Sequence, residues 1–182
     1  KTKADFGRGA ARYITFMNIM TNVVIDPRAF EAVDVAAAES QNRVKKGDLF
    51  FNGSSETPEE VGLCSVLVNE VDGVYLNSFC FGFRFRDQTL ADGLFLAYYF
   101  RSSQGRALLW SLAQGATRYN LSKSALLDVL LRLPEVAEQS AIAGLLSDMD
   151  TEIAALEAKL TKARQIKQGM MQELLTGRIR LV

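Results

Sequence analysis

Phenylalanine recurs at every second position from Phe79 to Phe85, alternating with Cys80, Gly82, Arg84 and Arg86. A period of two puts the four rings on one face of a strand over Phe79 to Arg86, and that face is expected in a core. Further strands are predicted over Tyr13 to Met17, Asp48 to Phe51 and Ser65 to Val68, which are rich in β-branched and aromatic residues and bounded by Gly, Asn and Pro. Asn52-Gly53 signals a turn. Asp92 is placed to cap a helix in which Leu94, Phe95, Tyr98 and Tyr99 recur at helical spacing, and a second helix is predicted from Arg106 to Ala113, ended at Gly115. Strands and helices together predict an α+β class, with a mixed β-sheet domain over residues 1–133.

After Leu133-Pro134 the pattern changes, because no further Pro occurs. One long helix is expected over residues 134–182, running from about Val136 to Thr176. Leu146, Ile153, Leu160, Lys167 and Leu174 fall at one heptad position, and Met149, Leu156, Ala163 and Met170 at the other. Such a seam predicts a coiled coil, with Ala163 and Lys167 weakening its distal part. Residues 134–157 carry six acids and no base, whereas 159–182 carry six bases and only Glu173, an order that complements the helix dipole. At 1.5 Å per residue the helix is about 60 Å long, more than one small domain covers, so its seam is expected to meet another chain or repeat.

Composition narrows the chemistry. The chain has 182 residues, 48% hydrophobic and 23% charged, enough for one domain with a sizeable core and an extension. It contains no His, which removes Ser-His-Asp and Cys-His arrangements and the usual zinc sets, and Cys64 and Cys80 lie far from any C-x-x-C spacing. No metal site is expected. No phosphate-cradling loop, dinucleotide fingerprint or Asn-Pro-Pro-aromatic segment occurs, and Asp5-Phe6-Gly7 lacks the motifs that would make it a kinase signature. Carboxylate pairs such as Glu59-Glu60 read as a solvated loop, so no catalytic residue is assigned and the chain is expected not to be an enzyme. No apolar run approaches the roughly 18 residues of a spanning helix, and Lys1 to Ala11 lacks a signal-peptide core, so no membrane partner and a cytoplasmic location with reduced thiols are expected. Opening on Lys suggests a fragment or processed chain. The 21 bases balance 21 acids, which argues against holding nucleic acid by bulk charge alone.

Leu133-Pro134-Glu135, Glu138-Gln139, Ile142-Ala143, Leu146, Asp150 and Ile153, closing with Ile166-Lys167-Gln168-Gly169-Met170-Met171-Gln172-Glu173-Leu174-Leu175-Thr176-Gly177-Arg178, resemble the conserved helix of the specificity subunit of type I restriction-modification systems. Upstream, Lys46-Gly47-Asp48-Leu49, Val61-Gly62, Leu76-Asn77-Ser78-Phe79, Gly115-Ala116-Thr117 and Asn120-Leu121-Ser122 resemble the framework of that family's target recognition domains. A full subunit of the family has two copies of domain plus helix, each domain reading half of a split DNA site while the antiparallel helices set the spacer. This sequence matches one copy and begins without the opening strand such domains have, so it is expected to be half of a larger subunit or a half-subunit.

The resemblance implies double-stranded DNA as a partner. It also implies modification subunits that hold S-adenosylmethionine and methylate adenine, a restriction subunit reached through the complex, and a second copy or sister repeat through the helix. As an isolated repeat the chain is expected to form a homodimer and to read an inverted repeat. Base reading needs exposed amides, hydroxyls and cations, and three segments supply them. They are Asn18, Thr21 and Asn22 after a predicted strand; Asn52 and Ser54 in the polar turn; and Thr117, Arg118, Tyr119 and Asn120 on the loop begun by Gly115. Arg84 and Arg86 on one strand face, and Lys45-Lys46, are candidates for phosphate. Residues 1–133 carry 15 bases against 14 acids, so unaided affinity for DNA is expected to be modest. The competing expectation is a coiled-coil protein adaptor that reads no DNA.

Overall fold

The computed structural model describes residues 1–36, 38–86 and 91–181, in two compact units, Lys1–Ser140 and Ala141–Val182. The class is α+β. In the first unit the strands are β1 (Phe6–Ile14), β2 (Phe30–Val33), β3 (Leu49–Asn52), β4 (Ser54–Ser55), β5 (Cys64–Val66), β6 (Val74–Leu76), β7 (Cys80–Phe83) and β8 (Tyr119–Asn120). The helices are α1 (Phe16–Thr21), α2 (Gly93–Arg101), α3 (Ser103–Leu112), α4 (Lys123–Leu127) and α5 (Val136–Leu175), the last continuing through the second unit. They build three small sheets, ordered β2-β1-β6, β5-β3-β7 and β4-β8.

The central strand β3 is Leu-Phe-Phe-Asn and is buried along its whole length, because both faces of its sheet are covered. Leu49 and Phe51 join Val66, Phe81, Leu96 and Phe100 in one apolar cluster. Phe50 points the other way, into a second cluster with Ile14, Ile19, Ile25, Leu67 and Val74. Side chains alternating across the pleat therefore tie the sheet to α2 on one side and to the β1 sheet and α1 on the other. Within the first cluster Phe51 lies 5.3 Å from Phe100 edge-on and 5.8 Å from Phe81 in a stack.

The alternating phenylalanines behave as expected only in part. Strand β7 covers Cys80–Phe83, and Phe81, Phe83 and Phe85 pack on the first cluster, but Phe79 is 63% exposed. Asn77 is the reason: its Oδ1 accepts the Phe79 amide and its carbonyl accepts the Cys80 amide, which makes residues 77–80 a turn before the strand begins. Nor do Tyr13 to Met17 form one strand. Thr15 ends β1 and caps α1, its hydroxyl accepting the Asn18 amide at 3.2 Å.

Asp92 caps α2 as its sequence predicts, accepting the Phe95 amide at 2.9 Å. Ser102 then caps α3, which starts three residues earlier than the hydrophobic spacing indicates. The buried Gln139, in the first turn of α5, accepts the Asp92 amide at 3.0 Å and donates to the Pro134 carbonyl at 2.8 Å, while Ser140 donates to the Asp92 carboxylate. This explains physically why the Pro134 to Gln139 segment has its residue types: both ends of one buried amide are satisfied. At the far end α5 stops where the Gly177 and Arg178 amides turn back onto the Leu174 and Glu173 carbonyls.

Among the described residues no helix is long and apolar enough to cross a membrane. Cys64 and Cys80 are both buried and unpaired. Burial pushes the Cys80 thiol up to about 12 and raises that of Cys64 as well. At neutral pH both stay protonated, so an alkylating reagent is expected to label the native protein slowly and both cysteines rapidly once urea unfolds it; fast native labelling of either would contradict this packing.

Candidate nucleic-acid interface

The first of the three polar segments is absorbed into the framework. Asn18 is 2% exposed, its Oδ1 accepting the amides of Asp26 and the Asn22 side chain and its Nδ2 donating to the Asp26 carbonyl at 2.8 Å. Asn22 is half-buried on that network, and the exposed Thr21 turns its hydroxyl back onto the Met17 carbonyl at 2.8 Å. These residues lie on or beside α1 rather than on an open loop. Asn18 is therefore withdrawn as a base-reading candidate.

Asn52 is withdrawn for the same reason, being fully buried and donating to the Ser54 carbonyl at 3.3 Å. Ser54 itself stays accessible at the surface. It faces Asn120 across the β4-β8 pair, with Ser55 opposite Tyr119, so the second and third segments form one small sheet. The backbone of Asn120 exchanges two hydrogen bonds with Gln114, at 2.8 and 2.9 Å, closing the loop that displays Thr117 and Arg118. Thr117, Arg118 and Asn120 are exposed, whereas the half-buried Tyr119 packs on the first apolar cluster.

Gly115 makes this loop possible. Its φ is +127°, and a Cβ there would lie 2.0 Å from the Arg118 carbonyl oxygen. Gly115→Ala is expected to displace residues 116–120 and to abolish sequence-selective DNA binding, while shifting the melting midpoint by only a few degrees because the loop is exposed. Retained selectivity in a filter-binding assay would show that this loop does not read the target.

Around the β4-β8 pair the structure gathers side chains that the sequence did not mark for DNA contact. Ser78, Phe79 and Lys123 join Ser54 and Asn120 on an open depression of about 450 Å³. Asn42 lines this depression and an adjoining cleft of about 360 Å³, which adds Gln41 and Arg43. Lys123 is the first residue of α4, behind its Ser122 cap, and its ammonium sits 6.0 Å from the Phe81 ring. Arg43 lies over Tyr75 at 5.8 Å. Arg84 is not free for phosphate: it donates twice to the buried Asp48 carboxylate, at 2.7 Å each, and also reaches the Arg43 carbonyl. Arg86 is exposed beyond the end of β7. A polar turn pair, Asn77-Ser78, was the available signal for Phe79, and a helix cap, Ser122, the signal for Lys123. Nothing local marked Asn42.

An α+β domain with amides, hydroxyls and cations on its turns is thus followed along the chain by a long helix with an apolar seam. Over residues 11–167 the sequence matches the family described as type I restriction modification DNA specificity domain, and the chain belongs to that family. The resemblance read from the helix and framework segments is thereby borne out. The family is the non-catalytic, DNA-recognising component of type I restriction-modification systems. Among solved structures the chain is similar to the type I restriction-modification system S subunit from M. genitalium, at 17% identity and a TM-score of 0.56. That similarity covers 95% of this chain and 40% of the M. genitalium subunit, and it shows the shared fold.

Proposed function

We propose that this chain is the sequence-recognition half-subunit, or one repeat, of a type I restriction-modification complex, reading one DNA half-site and directing adenine methylation and restriction by partner subunits. The observation that carries the reading is the family match through both the domain and most of the helix, supported by the half-buried Ser54 and the exposed Thr117, Arg118 and Asn120 on neighbouring strands and turns. Asn suits adenine N6 and N7, and Arg or Lys suits guanine O6 and N7. Thr21 and Asn22 remain secondary candidates, with phosphate contact their better fit.

Helix α5 supplies the docking part. Met149, Ile153, Leu156, Leu160 and Met170 are each about half exposed, Leu146 and Leu174 are partly buried and Ala163 is exposed. These residues are the proposed seam for a second copy or a sister repeat, with modification subunits docking on the paired assembly. S-adenosylmethionine is assigned to those subunits, and the site of action is cytoplasmic.

The near-balance of charge in residues 1–133 favours weak unaided DNA binding, completed when the modification subunits close around the duplex. The test is methylation of a random-sequence DNA library by the modification subunit with S-adenosylmethionine, each component omitted in turn. A split, adenine-containing motif that needs this chain is expected, and a symmetric motif would report a dimer. Complex formation with an active partner but no motif would favour the protein-adaptor reading.

A further inference from the structure

Phe79 breaks the rule its neighbours follow. Phe79 is 63% exposed while Phe81, Phe83 and Phe85 pack on the first cluster, yet the turn that carries it is held by three hydrogen bonds. The Phe79 amide donates to Asn77 Oδ1 at 2.8 Å, its carbonyl accepts the Gly53 amide at 3.0 Å, and the Cys80 amide closes the turn onto the Asn77 carbonyl at 3.2 Å. Gly53 permits the approach, since a Cβ there would sit 3.1 Å from the Phe79 carbonyl oxygen. The turn is a fixed mount for an exposed ring, and ordering that mount in the free protein lowers the entropic cost of using the ring in a contact.

The surroundings specify what the ring can meet. Phe79 shares its depression with Ser54, Asn120 and Lys123. Asn120 uses one amide hydrogen on the Arg118 carbonyl at 3.2 Å, leaving its other N–H and its carbonyl oxygen available to a ligand by valence. A duplex offers a side chain in its grooves two principal apolar features, the faces of unstacked bases and the 5-methyl group of thymine. The methyl group lies in the major groove on the same edge as adenine N6 and N7, the atoms an asparagine amide matches. A ring flanked by an amide, a hydroxyl and an ammonium fits that edge, where apolar and polar contacts are made side by side.

We propose that Phe79 is a specificity-determining residue that seats against a thymine 5-methyl group in the major groove, selecting thymine at one position of the half-site beside the base pair engaged by Asn120. The proposal rests on the reading of this chain as a DNA-recognition half-subunit. It adds a determinant that hydrogen-bonding logic passes over, because phenylalanine has no donor or acceptor.

The test uses the full chain assembled with its modification subunits, on duplexes carrying its methylated motif. Each thymine is replaced in turn by deoxyuridine, which lacks only the methyl group, and binding is measured for the unaltered complex and for Phe79→Ala. One replacement is expected to weaken the unaltered complex about fivefold, the scale of one lost methyl contact, and to leave Phe79→Ala unaffected. Phe79→Ala should itself bind the thymine duplex at least fivefold more weakly, with an unchanged melting midpoint, and Phe79→Leu should recover part of the loss and part of the deoxyuridine sensitivity. Equal responses of both complexes to every replacement overturn the assignment. So does unstacking of a 2-aminopurine reporter that requires the ring, which would mean insertion between base pairs. A complex that methylates no motif overturns the recognition reading and the Phe79 assignment together, whereas a motif indifferent to every thymine methyl overturns the assignment alone.

Discussion

Arg101→Met is expected to cost the domain about 3 to 5 kcal/mol, and so to remove much of the stability of residues 1–140. The side chain lies at the end of α2, and its guanidinium is spent entirely on backbone and hydroxyl oxygens. It donates to the Cys64 carbonyl and the Ile19 carbonyl at 2.6 Å each, to the Asn22 carbonyl at 2.8 Å, and at 3.3 Å to Met20 and the Ser65 hydroxyl. Burial lowers the pKa of the guanidinium from its ordinary value, and these oxygens replace the water it gives up. Ile19, Met20 and Asn22 include the last carbonyls of α1, where the helix dipole is negative, so a cation is the right group to close it. Methionine would fill the volume but leave the Ile19 and Asn22 carbonyls to share the single Ser65 hydroxyl proton, and take this donor from the Cys64 and Met20 carbonyls. Arg101→Lys should recover part of the loss, because one ammonium cannot reach both α1 and Cys64 with fork geometry. The protein has one tryptophan, Trp110 on α3, so its fluorescence during urea unfolding reports this unit specifically. A midpoint that barely moves in Arg101→Met would show that water serves these oxygens equally well.

Ile153→Glu combined with Leu160→Glu is expected to weaken helix-mediated self-association at least a thousandfold. Covering a half-exposed leucine or isoleucine contributes on the order of 1 kcal/mol or more, and each substitution acts twice in a symmetric pair while adding a carboxylate that must be desolvated. Both positions lie at one heptad position of α5 and are about half exposed. Lys167 already weakens that row, so Lys167→Leu should shift association the other way, by about tenfold. Analytical ultracentrifugation reads both. Unchanged mass for the double variant would mean that the seam is not the contact between copies.

Legibility from the sequence varied with the range of the interactions involved. The bounds of α5 were readable almost to the residue, since a proline before the helix and a heptad seam along it are local patterns. The capping aspartate of α2 was readable for the same reason. Strand β1 was not: Phe6-Gly7-Arg8-Gly9-Ala10 has little strand character of its own, and it is held by β2 and β6, with a register shift after Phe6. Asn18 and Asn52 were misread because an amide near a turn looks the same whether it meets a ligand or ties its own backbone, and only burial separates the two. Phe79 was misread in the opposite sense. Ser54 and Asn120, 66 positions apart in sequence, were each marked as polar turn residues, and the pairing of β4 with β8 brings them together through long-range contacts the sequence does not state.

The central claim, that the turns of the first unit read bases while α5 sets the assembly, is tested most directly by the methylated motif of Asn120→Ala in the complex with its modification subunits, obtained by sequencing modified DNA. The account predicts a motif relaxed at a single position, with the remaining bases and the spacer length unchanged. The same motif at undiminished stringency, or a change in spacer length, would contradict it.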